Sequence, residues 1–182
     1  LSTLGFSALG AGLALVFPDG DGRAGRLVLG GLTFRCALGK GGVRPAEAKC
    51  EGDGATPAAR MALRRVLYRA DRGPVPQAIV PVEPLAPQDG WCDASGHRSY
   101  NRAVTLPFDA SHEALWRDDL VYDVIGVLGW NDAPVERGRG SAIFLHLARP
   151  DLAPTEGCIA LPGPDLRRLL AAGLTAIEVR LP

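Results

Sequence analysis

Turn-forming residues set the tightest limit on what this chain can fold into. Its 23 glycines and 15 prolines interrupt it every few residues, leaving little room for helices of ordinary length. Between the interruptions lie short apolar or alternating runs, Arg26–Leu29, Leu32–Leu38, Ala62–Tyr68 and Ser141–His146, which suit strands with a buried face. The chain therefore reads as mainly β with short helices. PDGDG at 18–22 is a turn signal between Leu13–Phe17 and Gly25–Leu29, and it predicts a hairpin. Pro74–Gly90 holds five prolines and predicts a surface loop or a string of extended pieces. Thr175–Leu181 alternates around Ile177 and Val179 and predicts a closing strand. Two helices are predicted. One covers 112–119 with Ser111 as N-cap, and the other covers Pro164–Ala172 with Gly173 just beyond it.

At 182 residues the chain fits one domain, 1–182. Residues 1–24 are expected to form N-terminal edge strands with glycine turns, the alternative being the remnant of an export segment. Twenty Lys plus Arg balance twenty Asp plus Glu, so no overall field recruits nucleic acid or anionic lipid. No apolar run reaches the length of about 20 residues that spans a bilayer. Arg60, Arg64, Arg65, Arg69 and Arg72 read as a solvated face. The four cysteines include no C-x-x-C pair, and only His97, His112 and His146 accompany them; a metal site is not expected on that spacing. In an exported protein, two of Cys36, Cys50 and Cys92 are candidates for a disulfide.

The segment that carries chemistry is GRGSAIFLHLARPDLAPTEGCIALP, residues 138–162. An apolar strand ends in His146, a loop with two prolines follows, and Thr155-Glu156-Gly157-Cys158 leads into a second apolar run. A thiol is a poor nucleophile until ionised, and an imidazole beside it takes the proton. Two neighbouring strand ends can bring these groups together. Gly157 allows unusual dihedrals and leaves backbone N–H groups to face a developing oxyanion. Arg149 is placed to hold a substrate carboxylate. Elsewhere, Trp91, Asp93, Tyr100 and Asn101 either line a cleft or order the proline-rich loop, His112 reads as a helix-capping or surface residue, Trp130 as core and Asn131-Asp132 as a turn.

The segment resembles the signature of the YkuD-type L,D-transpeptidases: a His closing a strand, then a loop, then Ser/Thr-His-Gly-Cys. By that resemblance His146 matches the catalytic base, Cys158 the nucleophile, and Thr155 and Gly157 the flanking motif positions. KCEGDGATPAARMAL at 49–63 is similar to the family's T-P-x-G-x-F element, with Ala59 and Met61 where Gly and Phe are usual. The resemblance covers roughly residues 25–182. It implies a β-sandwich of mixed sheets, cysteine acyl transfer on peptidoglycan stem peptides, no cofactor, a periplasmic setting, a monomer, and reactivity toward carbapenems.

Three positions depart from the common pattern. Glu156 replaces the motif His, the His146–Cys158 loop is short, and Ala160 stands where Arg or Asn is usual. These departures resemble a subgroup that joins L-Ala at position 1 to diaminopimelate at position 3. Arg149, Arg139, Ser141, Thr155, Glu156, Tyr122 and Asn131 are the expected substrate contacts. The alternatives are a 3,3-cross-linking enzyme, an L,D-carboxypeptidase or amidase that uses water, and a catalytically silent wall-binding module.

Overall fold

The computed structural model describes residues 12–182. Its strands are β1 (Leu13–Asp19), β2 (Ala24–Leu29), β3 (Leu32–Ala37), β4 (Val43–Pro45), β5 (Thr56–Ala58), β6 (Arg60–Tyr68), β7 (Val82–Pro84), β8 (Asp89–Cys92), β9 (Arg102–Thr105), β10 (His112–Ala114), β11 (Val124–Leu128), β12 (Phe144–Leu147), β13 (Ile159–Leu161) and β14 (Ala176–Val179), with one helix, α1 (Gly163–Ala171). Nine strands form the main sheet in the order β11-β12-β13-β3-β2-β1-β14-β6-β7. The fold is thus β-rich and mixed, as the sequence suggests.

The main sheet closes through β6. Residues 60–62 of that strand pair with β14, while residues 63–68 pair with β11 at the far end of the order. The curled sheet wraps Val16, Leu27, Met61, Val66, Leu145, Ile159 and Ile177 into one core. The buried face of α1, Leu166, Leu169 and Leu170, completes this core at i, i+3 and i+4 spacing. Pro164 lies in the first turn of α1, and Gly173 follows its end at φ +89°.

The PDGDG turn joins β1 and β2 in register Leu15 to Val28, as expected. β1 is not an edge, however: β2 and β14 flank it, because Leu13–Val16 pair in parallel with Ala176–Val179. Both of its edges are paired, so its backbone groups are satisfied inside the sheet. Residues 1–11, including the rest of the expected N-terminal strands or export segment, lie outside the described residues.

The helix expected over 112–119 does not form. His112–Ala114 is instead β10, paired with β8 in register His112 to Cys92 and Glu113 to Trp91. The reason is tertiary. The ladder with β8 supplies the backbone partners that a helix would otherwise provide. Just beyond the strand, Leu115 enters a buried cluster, and Trp116 packs against the same cluster while lying under the Arg69 guanidinium at 3.5 Å. The arginines do not form one solvated face: Arg64 and Arg65 on β6 pair with Asp132 and Glu83, while Arg69 and Arg72 follow the strand, Arg72 pairing with Asp123 and Arg69 buried between Asp71 and the Trp116 ring. All four cysteines are free, with Cys36 and Cys92 buried in different sheets and Cys50 exposed in a loop. No disulfide joins Cys36, Cys50 and Cys92. No helix among the described residues is long and apolar enough to cross a membrane.

Candidate active site

β12 and β13 run parallel, with Leu145 opposite Ile159 and His146 opposite Ala160. Side chains alternate across a strand. Leu145 and Ile159 therefore enter the main core, while Phe144, His146, Cys158 and Ala160 share the outer face. The pairing makes His146 and Cys158 diagonal neighbours on that face. They open into a cavity of about 470 Å³.

Burial dominates the electrostatics of both groups. Cys158 is 7% exposed and His146 7% exposed. Burial pushes the Cys158 thiol up to about 12, and the charge of Glu113 adds to the effect. Burial likewise pushes the His146 imidazole down to about 4, against the pull of the Leu147 carbonyl. That carbonyl lies 2.9 Å from His146 Nδ1 and can only accept, so Nδ1 carries the proton and Nε2 is left as the free base. The thiol is not bonded to Nε2. Sγ receives the Phe144 N–H at 3.3 Å and donates to Ala142 O at 3.2 Å. The resting pair is a neutral thiol beside a neutral imidazole.

The loop before β12 is held by side-chain hydrogen bonds. Ala142 sits at φ +52°, unfavourable for a residue with a Cβ. Asn101 fixes it: its Oδ1 accepts the Ala142 N–H at 3.1 Å and the Trp91 Nε1–H at 3.0 Å, and its Nδ2 donates to Trp130 O and Asn131 O at 2.9 and 2.7 Å. Gly157 has φ +129°, and a Cβ there would lie 2.9 Å from Ala55 O, so the position admits no side chain. Its N–H donates to Thr155 Oγ1 at 3.1 Å, and that hydroxyl donates to Cys158 O at 2.7 Å. The Gly157 N–H is thus committed to the turn rather than free for an oxyanion.

The other expected contacts divide in two. Tyr122, Ser141, Arg149, Thr155 and Glu156 line the cavity. Ser141 Oγ donates to Glu51 at 2.7 Å, Glu156 meets Lys40 at 2.8 Å, and Arg149 meets Asp119 at 3.5 Å. Arg139 and Asn131 do not line it. Arg139 donates to Glu47 O and Ala46 O, both at 3.0 Å, and Asn131 closes its own turn through Glu136 and Gly140. Each holds a loop through these bonds to backbone groups.

Sequence reasoning missed much of the opposite wall. Glu113 and Arg117 line the cavity, and His112 faces it from β10. Burial holds the Glu113 carboxyl above its usual range, and Tyr122 donates to Glu113 Oε1 at 2.5 Å. The Tyr122 ring meets the His146 ring edge-on at 5.3 Å between centroids. Reading 112–119 as a helix concealed these residues.

A family model described as the L,D-transpeptidase catalytic domain, YkuD, matches residues 19–176. Neither a curated protein nor a solved structure gives a significant match. With the model spanning nearly all of the chain, the protein belongs to the YkuD family of L,D-transpeptidases, a family of peptidoglycan enzymes.

Proposed function

We propose that this chain cross-links peptidoglycan stem peptides by acyl transfer through Cys158, with His146 as general base. The observation that carries this reading is the parallel β12–β13 pair, which puts both side chains on one face at the mouth of one cavity. The thiol leaves Ala142 O and gives its proton to His146 Nε2 as sulfur attacks the carbonyl of an L-centre to D-centre amide. Because the groups are neutral at rest, proton transfer accompanies attack. The Cys158 N–H, rather than that of Gly157, faces the oxyanion. His146 then protonates the departing amine, leaving a thioester, and an acceptor amine resolves it. No cofactor enters these steps.

The cross-link proposed is the 1→3 kind, from L-Ala to diaminopimelate. Ala160 supports it: the position lies opposite His146 on the cavity wall, so the small side chain leaves room where Arg or Asn is usual. The enzyme is proposed to act in the periplasm as a monomer and to be acylated by carbapenems.

The test combines intact-mass measurement with product analysis. Incubation with a carbapenem should add one acyl group to the wild type and none to Cys158→Ala, and muropeptides should yield 1→3 dimers. Trimmed monomers alone would assign water as the acceptor. An unmodified wild-type protein, folded and without products, would make the domain a silent binding module.

A further inference from the structure

The transfer reading leaves one proton without a receiver. An acceptor amine reaches the thioester as an ammonium ion at neutral pH. It must lose one proton before its lone pair can attack and another as the amide forms. His146 takes only one of them: it has returned the thiol proton to the first leaving amine and is neutral again when the acceptor arrives.

The charges lining the cleft show where an ammonium would go. Its cations already have acidic partners. Lys49 Nζ meets Asp53 Oδ1 at 2.8 Å, Arg117 grips Asp119 through two N–H groups at 2.8 and 2.6 Å, and Arg149 meets the same carboxylate at 3.5 Å. Of the acids, Glu156 is held by Lys40 at 2.8 Å, and Glu51 accepts the Tyr100 and Ser141 hydroxyls at 2.5 and 2.7 Å. Three carboxylates, Glu51, Glu113 and Asp93, have no cation in close contact, and of these Glu51 already serves two hydroxyl donors. Glu113 Oε1 takes the Tyr122 hydroxyl, with Arg117 no nearer than 3.9 Å. Asp93 Oδ1 is buried and has no hydrogen-bond partner among the described residues.

These two acids stand together by register. Glu113 is paired with Trp91 across β10 and β8, and the Asp93 N–H continues that ladder to Ser111 O at 3.2 Å. Asp93 and Glu113 are therefore diagonal neighbours on one face. Tyr122 spans the gap to the base, its hydroxyl on Glu113 and its ring against His146.

We propose, on the basis of the acyl-transfer reading above, that Glu113 receives the acceptor amine: its carboxylate, with Asp93 beside it, binds the ammonium and takes the first of its two protons. R–NH₃⁺ and the Glu113 carboxylate become R–NH₂ and the carboxylic acid. The amine adds to the thioester carbonyl, its second proton passes to His146 Nε2, the C–S bond breaks, and His146 returns that proton to the Cys158 sulfur. Glu113 then releases its proton to water. Burial of Glu113 favours the protonated carboxyl and so suits it to accept a proton. Its ionised form also opposes charge on Cys158, so an acceptor that neutralises Glu113 helps the thiolate to leave.

The test separates acylation from transfer. Wild type, Glu113→Gln and Glu113→Asp are acylated with a carbapenem or a tetrapeptide donor. Intact mass follows the acyl-enzyme, and products are counted with two acceptors: a diaminopimelate tripeptide, charged at pH 7, and hydroxylamine, neutral at pH 7. For Glu113→Gln the ratio of transfer to hydrolysis should fall at least about ten-fold with the tripeptide. The ratio should be unchanged with hydroxylamine and partly restored in Glu113→Asp. An equal loss with both acceptors, or acylation falling in step with transfer, would reduce Glu113 to a support for Tyr122 and overturn the proposal. An unchanged tripeptide ratio would overturn it as well. If the wild type is never acylated, the failure lies in the acyl-transfer reading itself.

Discussion

Cys158 and His146 are both uncharged in the resting protein because the same burial penalises the thiolate and the imidazolium. A preformed ion pair would show iodoacetamide labelling of Cys158 that levels off near neutral pH. Here the thiol stands at about 12, so the rate of labelling should climb steadily from pH 7 to 10, close to ten-fold per unit, with no plateau. A plateau below pH 8 would show a poised thiolate instead. Gly157 makes a second residue-scale prediction. Gly157→Ala sets a Cβ 2.9 Å from Ala55 O at φ +129°. It should cost at least about 2 kcal/mol in denaturant unfolding and slow carbapenem acylation, because Cys158 is the next residue. An unchanged midpoint would mean that Ala55 can withdraw.

At the scale of elements, the parts legible in the sequence are those whose cause is local. The β1–β2 hairpin follows from PDGDG, α1 from its proline, its leucine spacing and Gly173, and the His146–Cys158 segment from two apolar runs around a short loop. β10 was not legible, since Ser111 and the acidic residues after it imitate a helix start while the pairing with β8 lies 20 residues away in sequence. With β10 misread, the Glu113 wall of the cleft was hidden too. Arg139 reads as a substrate contact because it precedes β12, and Asn131 reads both as a turn and as a contact; loop carbonyls claim both, and Asn131 forms the turn. Asn101 shows the reverse. Nothing local reveals that its four hydrogen bonds join the β8–β9 connection to the loop holding Ala142. Asn101→Ala would leave buried groups unpaired, so stability should drop by about 2–4 kcal/mol. The Cys158 acylation rate should drop too, as Ala142 relaxes from φ +52°. A loss of stability with the acylation rate intact would show that the Ala142 carbonyl has no part in presenting the thiol.

For the whole molecule, the buried pair ties global stability to pH from both sides. His146 is near 4 in the folded protein against 6.5 when exposed, so between these values the unfolded chain binds a proton that the native state refuses. Stability from keeping His146 neutral is complete above about 6.5 and is lost as pH falls toward 4. At about 1.4 kcal/mol per unit, the loss approaches 3 kcal/mol. Cys158 acts on the alkaline side. Its folded value of about 12 exceeds the ordinary 9, so its contribution is intact below 9 and declines above it. Other groups titrate on the acid side as well. Asp53, held low by its hydrogen bonds to backbone N–H groups and Lys49, loses stability only at lower pH, and Glu113, held high by burial, gains as it protonates. A difference measurement removes both. The stability of the wild type minus that of His146→Asn, taken by urea unfolding at steps from pH 7 to 4, should shrink by about 3 kcal/mol, almost all of it below 6.5. A flat difference would mean that His146 accepts a proton without unfolding. In that case the cleft admits water more freely than its burial implies, and the labelling profile of Cys158 should bend at the same pH.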